Sequence, residues 1–261
     1  MILRKVIDVS KYQGTVNWEV VAASGVWGAI IRAGYGRELS QEDPLFLSNY
    51  DGARAAGLKV GVYWYSYATD EADARREADA CLTVLGGLAL DLPLFFDQEE
   101  PRVPVSLRSR IFRAFAEEIM PTIPVGYYTY HNYLQQIVDV DGKVPDNDCL
   151  WIADYRCDAD AREAWACDIW QYSSRGSVPG ISGPVDLNHY YDEEEDTTME
   201  YIIIGPASAG DINTLLDKAE GLGLACSVTS ERPGSSADLE QIGQILDRLT
   251  IAGKALAGEV R

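Results

Sequence analysis

Four acidic side chains lie at the ends of short apolar segments that are far apart in the chain. They are Asp8 in IDVSKYQG, Asp97 and Glu99 in PLFFDQEE, and Asp186 in SGPVDLN. Side chains alternate along an extended strand, so Asp97 and Glu99 point the same way if their segment stays extended. Two carboxyl groups held close together do not both ionise readily, so one keeps its proton and can donate it. Such a pair can protonate the leaving oxygen of a glycosidic bond and stabilise positive charge on the sugar carbon.

An Asp-x-Glu motif alone is also compatible with surface acids or with a cation site, and the aromatic residues favour the first interpretation. Aromatic residues crowd the ends of several predicted strands: Tyr63, Trp64, Tyr65, Tyr67, Tyr127, Tyr128, Tyr130, Trp151, Tyr155, Trp170 and Tyr172. About half of them are expected to fill the core. Flat amphipathic rings suit the apolar faces of sugars, and their polar edges bind hydroxyl groups. Acids and rings together therefore indicate a carbohydrate substrate.

These residues must be positioned by the elements around them, which alternate between apolar runs and helical patterns. Predicted strands are Lys5–Val9, Gly28–Ala33, Lys59–Tyr65, Pro93–Asp97, Pro124–Thr129, Leu150–Ala153, Asp168–Tyr172 and a short one near Val185. Predicted helices are Trp18–Ala23, Pro44–Ala56, Asp73–Leu85 and Ser106–Ile119. The alternation predicts an α/β fold with a parallel sheet, and about eight strands predict a TIM-like barrel. The tight spacing of the later strands predicts that the second half lacks regular helices.

A second, smaller unit is predicted after the barrel. Residues 1–191 are assigned to the barrel and residues 192–199 to a linker, because Asp192–Thr198 is acidic and free of apolar residues. Residues 200–261 read as a small βαβα domain, with strands Tyr201–Gly205 and Leu224–Thr229 and helices Asp211–Leu222 and Ala237–Ile251. A unit of this size is expected to need packing against the barrel or against a second copy.

Composition excludes several classes of function. The net charge of −19 disfavours nucleic acid, because few cations would neutralise its phosphates. Five cysteines without a CxxC pair and only two histidines, His131 and His189, suggest neither a metal site nor a catalytic histidine, and no cofactor is expected. No apolar run is long enough to insert into a membrane, and no signal peptide is recognised, so synthesis in a bacterial host cytoplasm is expected.

The motifs resemble those of glycoside hydrolase family 25, the lysozymes of phage endolysins and bacterial autolysins. The segments that carry the resemblance are IDVSKYQGTVNW, the Asp-x-Glu after an apolar strand, and WQYSSRGSVPGISGPVDLN, within residues 4–191. The resemblance implies a modified eight-stranded β/α barrel with fewer flanking helices than a regular one. It also implies hydrolysis of the β-1,4 bond between N-acetylmuramic acid and N-acetylglucosamine in peptidoglycan. The protein would then act on the cell wall after its release from the host cytoplasm.

The same resemblance assigns roles to individual residues. It implies that Glu99 is the general acid and that Asp97 is its partner, which orients the substrate or stabilises the cationic transition state. Asp8 and Asp186 match the flanking acids. The substrate-binding positions implied are Tyr63, Tyr65, Tyr128, Tyr155 and Gln171. Glu100 follows Glu99 directly, which departs from the family pattern. Glu99 is preferred as the acid, because Glu100 points to the opposite side of the strand if the segment stays extended.

Two rival functions and one further hypothesis stay open. The rivals are a chitinase-like glycosidase and an inactive glycan-binding barrel, although four intact acids argue against the second. By position, residues 200–261 resemble the wall-binding modules of endolysins, and they are also candidates for homo-oligomerisation. Codons for Glu193–Asp196 can contain the ribosome-binding sequence GGAGG shortly before Met199. A truncated product that starts at Met199 is therefore a hypothesis beside that of an ordinary acidic linker.

Overall fold

Eight strands pair into a closed barrel in the order of the sequence, in a computed structural model that describes residues 2–120, 122–156 and 161–192. The strands are β1 (Ile2–Val9), β2 (Gly28–Tyr35), β3 (Lys59–Tyr65), β4 (Leu94–Asp97), β5 (Val125–Tyr130), β6 (Cys149–Ala153), β7 (Ile169–Gly176) and β8 (Val185–Asp192). The predicted eight-stranded α/β barrel is confirmed.

The sheet is not wholly parallel, however, and this part of the prediction is wrong. Strands β1 to β7 run parallel to one another, whereas β8 is antiparallel to both of its neighbours, β7 and β1. A parallel connection needs a crossover of a dozen or more residues. Residues 177–184 are too few for one, so the chain turns back as a hairpin.

Helices cover the outside of the barrel. They are α1 (Trp18–Ala23), α2 (Phe46–Ala55), α3 (Glu71–Leu85), α4 (Val105–Ile119), α5 (His131–Asp141) and the short α6 (Ala161–Trp165). The first four were predicted, but the expectation that the second half lacks regular helices is wrong because of α5. This helix follows β5 directly, has no side-chain N-cap, and buries only Leu134 and Ile137. Its sequence therefore lacks both the capping signal and the wide apolar stripe that identify a helix.

Alternation along the strands divides the core into two layers. Outward side chains such as Ile7, Ile31 and Phe96 pack beneath the helices in one large apolar cluster. Inward side chains such as Val6 and Phe95 fill the barrel in a second cluster. Because the period is two, the inward positions at the carboxyl ends of the strands all reach the same mouth of the barrel.

The carboxyl-terminal predictions lie mostly outside the described residues. Asp192 is the last residue of β8 and pairs with Arg4 at 3.1 Å, so it belongs to the barrel and not to the predicted linker. The remaining linker residues 193–199, Met199 and the predicted module 200–261 lie outside the described part. Within that part, no helix combines the length and the apolar character that a membrane crossing requires.

Candidate active site

Asp8 and Asp186 face each other across the seam between β1 and β8. They are paired residues of the antiparallel ladder, and their side chains share a hydrogen bond. The Oδ2 atom of Asp8 also accepts hydrogen bonds from Gln171 Nε2 at 3.0 Å and from Asn188 Nδ2 at 2.8 Å. Burial, followed by the charge of Asp186, raises the pKa of Asp8 well above its ordinary value, and burial raises the pKa of Asp186. The pair therefore retains a proton between its two carboxyl groups.

Asp97 and Glu99 enter the same mouth from β4. Asp97 ends the strand, and Glu99 lies two residues beyond it. Burial raises the pKa of Asp97 well above its ordinary value, and the charges of Glu99 and then Asp8 raise it further, whereas Arg32 lowers it. Burial also raises the pKa of Glu99, although a hydrogen bond from the Tyr130 hydroxyl opposes this rise. The four predicted acids therefore act on one another electrostatically in one place.

One oxygen of each β4 acid lacks a partner. Asp97 Oδ1 and Glu99 Oε2 are buried and make no hydrogen bond to any described residue. A buried polar atom without a partner costs free energy and needs an explanation. Acids with raised pKa values in a cleft are typical of sites that hold or transfer a proton.

The predicted tyrosines and glutamine surround these acids. The Tyr128 hydroxyl donates to Gln171 Oε1 at 2.9 Å, and the Tyr155 hydroxyl donates to the same oxygen. Burial and then the charge of Asp8 raise the pKa of Tyr63, while burial and then the charge of Glu99 raise the pKa of Tyr65. These hydroxyl groups stay protonated and remain able to donate hydrogen bonds.

A pocket of about 410 Å³ opens on the β5 and β6 side of this mouth. Its lining includes Tyr130, whose hydroxyl reaches Glu99, and Tyr155, which is 41% exposed. His131, Asn132, Tyr133 and Arg156 complete most of the wall. Tyr130 thus connects Glu99 to a concave, ring-lined space of the kind that holds a small polar ligand.

The residue between the two β4 acids points the other way. Gln98 is buried behind the barrel wall, where its Oε1 accepts from the Tyr127 hydroxyl at 2.7 Å and its carbonyl accepts from Thr129 Oγ1 at 2.7 Å. Arg108 of α4, 1% exposed, donates to the carbonyls of Gln98 at 3.3 Å and Glu100 at 2.8 Å. One buried guanidinium therefore holds the backbone carbonyls of both residues adjacent to Glu99.

Glu100 takes no part in the acid cluster. Its carboxylate accepts hydrogen bonds from Arg102 Nε at 2.8 Å and from the second terminal nitrogen at 3.1 Å. These bonds lower the pKa of Glu100, in contrast to the raised value of Glu99.

Three residues of the site were not assigned from the sequence. Asn188 binds Asp8, Tyr130 binds Glu99, and Arg32 lies close enough to Asp97 to lower its pKa. Each stands two residues from an inward-facing position on its own strand. Strand alternation was therefore a signal that could have identified them.

The described part of the chain contains no group of three or more histidine, cysteine, aspartate or glutamate side chains arranged to hold an ion. The acids instead bind amide and hydroxyl donors or one another. Proton transfer and charge stabilisation by carboxyl groups are the chemistry that this arrangement supports.

Comparison with known proteins identifies a family over most of the described barrel. A family model described as glycosyl hydrolases family 25 matches residues 7–181. The autolytic lysozyme of Clostridium acetobutylicum is 34% identical over 211 residues, which is 80% of this chain and 62% of that protein. The chain thus spans less than two thirds of the length of this relative.

Solved structures share the fold. The bacterial lysozyme from Streptomyces coelicolor matches 72% of this chain and 92% of its own with a TM-score of 0.61 and 25% identity. The CTP1L endolysin, whose structure is described as revealing how its activity is regulated by a secondary translation product, matches 89% of this chain and 84% of its own. Its TM-score is 0.59 and its identity is 21%, so it supports the fold alone.

Proposed function

Because the chain belongs to glycosyl hydrolases family 25, we propose that it is an endolysin-type muramidase of bacterial peptidoglycan. The bond cut is the β-1,4 linkage between N-acetylmuramic acid and N-acetylglucosamine. The observation that carries the proposal is the convergence of Asp8, Asp97, Glu99 and Asp186, all with raised pKa values, at one mouth of the barrel. The chain acts on the cell wall, where this polymer lies.

Glu99 is the general acid in this proposal. Its raised pKa keeps a proton available, and its Oε2 has no partner among the described residues that would compete with a substrate oxygen. The Tyr130 hydroxyl donates a hydrogen bond to the carboxyl group. Proton transfer from Glu99 to the leaving oxygen, as the glycosidic C–O bond breaks, yields the free hydroxyl of the departing sugar. A water molecule then adds to the sugar carbon, which supplies the hydroxyl of the new reducing end and the proton that restores the acid.

Asp97 stabilises the positive charge that develops on the sugar as the bond breaks. Its Oδ1 is buried and without a partner among the described residues, and the charge of Arg32 opposes the burial and the neighbouring acids that raise its pKa. Asp8 and Asp186 keep a shared proton beside it, which limits the negative charge collected in the mouth. Tyr63, Tyr65, Tyr128, Tyr155 and Gln171 bind the sugar through rings and polar groups.

The rivals make different predictions in one assay. The muramidase clears a suspension of bacterial walls and releases reducing ends on N-acetylmuramic acid, whereas a chitinase-like enzyme cuts chitin oligomers instead. An inactive glycan-binding barrel binds walls and cuts neither. Glu117→Gln on the exposed face of α4 serves as a surface control for Glu99→Gln. Clearing that survives in Glu99→Gln would refute the assignment of the acid.

The carboxyl-terminal residues 200–261 are proposed to bind the wall or to assemble full-length chains. Translation also starts at Met199 in this proposal, which yields a free copy of that module. Support comes from the acidic codons before Met199, which can contain GGAGG. The structure of the CTP1L endolysin is described as revealing regulation of that protein's activity by a secondary translation product.

Recoding tests the internal start without changing the protein. If Glu193–Glu195 are all encoded by GAA, the GGAGG sequence disappears while the amino acids stay the same. Mass spectrometry of the purified protein is expected to detect a fragment of residues 199–261 before recoding and little of it afterwards. Met199→Leu is the matched variant at the protein level. If the gene carries GGAGG and the fragment is not detected, the second start is refuted.

A further inference from the structure

Two amide side chains bind the same oxygen atom of Asp8. Its Oδ2 accepts from Gln171 Nε2 at 3.0 Å and from Asn188 Nδ2 at 2.8 Å. Both amides are buried, so water does not compete for these bonds. The nitrogen of an amide group only donates hydrogen bonds, and its oxygen only accepts them. The end of each amide that faces Asp8 therefore decides which oxygen of this carboxyl group can carry a proton.

Trp151 holds the amide of Asn188 in one orientation. The indole Nε1 of Trp151 donates to Asn188 Oδ1 at 2.8 Å, and an indole nitrogen can only donate. The nitrogen end of Asn188 therefore faces Asp8 and, at 3.4 Å, the carbonyl oxygen of Val6, which can only accept. Trp151 is 1% exposed, and its ring packs edge to face against Phe95 with 5.2 Å between centroids. The donor is thus fixed by the packing inside the barrel.

The amide of Gln171 is oriented less strictly. Its Oε1 accepts from the hydroxyl groups of Tyr128 and Tyr155, but a hydroxyl group can also accept a hydrogen bond. The two tyrosines would therefore tolerate a turned amide, whereas the indole of Trp151 would not. In the observed orientation, both amides give an N–H group to Oδ2 of Asp8. Each of these bonds stabilises the ionised form of that oxygen.

We propose that Trp151 is a positioning residue that, through Asn188, keeps Oδ2 of Asp8 free of a proton. The proton shared with Asp186 then lies within the hydrogen bond between the two carboxyl groups, where it offsets the negative charge of Asp186. That charge is among the causes that raise the pKa of Glu99. The orientation of one buried amide therefore helps to set the pH at which Glu99 gives up its proton. This last step rests on the proposed function, whereas the location of the shared proton does not.

NMR of the carboxyl carbons tests the location of the proton without a substrate. Asn188→Leu replaces the amide by an apolar group of similar volume, so Asp8 loses one donor to its ionised form. The pH at which Asp8 titrates is expected to rise by about one unit, because a hydrogen bond to a charged group is lost. Trp151→Phe keeps a ring but lets the amide turn, and a rise of the same sign is expected. Asp8→Asn and Asp186→Asn assign the signals.

Trp64→Phe is the matched control. Trp64 is also fully buried, and its indole Nε1 donates to the carbonyl of Gly36 at 2.9 Å. The substitution removes an equivalent buried hydrogen bond, and the titration of Asp8 is expected to stay as in the wild type. Thermal melting of each variant checks that the fold is retained. If a single variant is unstable, Trp151→Phe combined with Asn188→Leu removes donor and acceptor together and leaves neither of the two unpaired.

The pH dependence of cleavage tests the effect on Glu99. In Asn188→Leu and in Trp151→Phe, the proton moves away from Asp186, which gains negative charge. The high-pH limb of kcat/KM for soluble peptidoglycan fragments is therefore expected to move up by about half a pH unit. A purely structural role of Trp151 would lower the rate at every pH and leave this limb in place.

The outcomes separate this inference from the proposed function. An unchanged titration of Asp8 in Asn188→Leu overturns the inference, as does a rise in Asn188→Leu that is absent from Trp151→Phe. An equal rise in Trp64→Phe also overturns it, because the loss of any buried indole bond would then be sufficient. Absence of peptidoglycan cleavage by the wild type overturns the proposed function but leaves the NMR comparison valid.

Discussion

The two sides of the segment Asp97–Glu100 meet opposite environments. On the inner side, Asp97 and Glu99 each leave one buried oxygen without a hydrogen bond to a described residue, and their pKa values are raised. On the outer side, Gln98 is hydrogen-bonded through its side chain and its carbonyl, and Arg108 adds a second bond to that carbonyl. One short stretch of chain therefore combines acids that each leave a buried oxygen without a partner with an outer network of several hydrogen bonds, in which only Arg108 Nε lacks a partner among the described residues.

The difference shows how a barrel can tolerate a costly site. Buried carboxyl groups without partners destabilise the fold, and this cost is offset by hydrogen bonds on the opposite side of the same segment. The outer network contributes rigidity, which keeps Glu99 at a fixed position relative to the other acids. Variants on the two sides are therefore expected to separate activity from stability.

The largest effect is expected for Glu99→Gln. Loss of the general acid is expected to lower wall lysis at least about a hundredfold. The free energy of unfolding should stay equal or rise, because a buried acid is replaced by a neutral group of the same shape. Turbidity clearing and urea denaturation measure the two quantities. If lysis is retained in Glu99→Gln and lost in Glu100→Gln, Glu100 and not Glu99 is the general acid.

Arg108→Met is expected to act mainly on stability. It leaves the carbonyls of Gln98 and Glu100 without this donor, at a cost of about 2–4 kcal/mol in the free energy of unfolding. Because the segment that carries Glu99 then loosens, kcat is expected to fall about tenfold with little change in KM. Arg110→Met, at an exposed position of the same helix, is the control. Unchanged unfolding and unchanged kcat in Arg108→Met would show that the outer network does not support the acids.

The pH dependence of stability is a third test of the inner side. The pKa of Glu99 is higher in the folded protein than its ordinary value of 4.5. The contribution of Glu99 to the free energy of unfolding is therefore fully present below pH 4.5, and it is lost as the pH rises through the raised pKa. Activity is expected to fall over the same rise, because the proton to be donated is lost. Urea denaturation between pH 4 and pH 8 should therefore give a shallower loss in Glu99→Gln than in the wild type.

A second buried acid changes stability in the same direction and serves as a comparison. Burial raises the pKa of Glu77 on α3 to about 7, which corresponds to a loss of about 3 kcal/mol as the pH rises from 4.5 to 7. Glu77→Gln is expected to remove this pH-dependent loss of stability without abolishing lysis. An identical pH profile for the wild type and both variants would show that neither acid has a raised pKa.

The smallest effect is expected for Glu100→Gln. Arg102 covers this carboxylate from the solvent side, and such an ion pair contributes less than about 1 kcal/mol. Lysis is expected to stay within about twofold of the wild type, because Glu100 does not share the mouth with the other acids. Wall lysis by Glu100→Gln and Glu99→Gln, measured side by side at equal protein concentration, shows which of the two adjacent glutamates is the acid.

The barrel could be predicted because its strands are apolar on both faces. Strands such as β3 and β6 carry inward and outward apolar residues, so they appear as continuous runs in the sequence. The direction of β8 could not be predicted from such a run, because a run of apolar residues does not indicate whether a strand is parallel or antiparallel to its neighbours. Helix α5 was missed because its two buried residues leave only a narrow apolar stripe.

The acids could be predicted from their motifs, but their surroundings could not. Gln98 and Arg108 are polar residues that are ordinarily exposed, and nothing in the sequence indicates that a buried carbonyl needs them. Asn188 and Arg32 were within reach, because each continues the inward alternation of a strand that was already recognised.

The antiparallel pairing of β8 with β1 has a consequence for when the barrel becomes competent. Asp186 and Asn188 belong to the last strand, and Asp8 acquires both as neighbours only when that strand closes the seam. A ribosome that has not yet released the final strand carries a chain with an incomplete acid cluster. Catalytic competence is thus the last property that this domain gains during synthesis, and any truncation before residue 185 removes it.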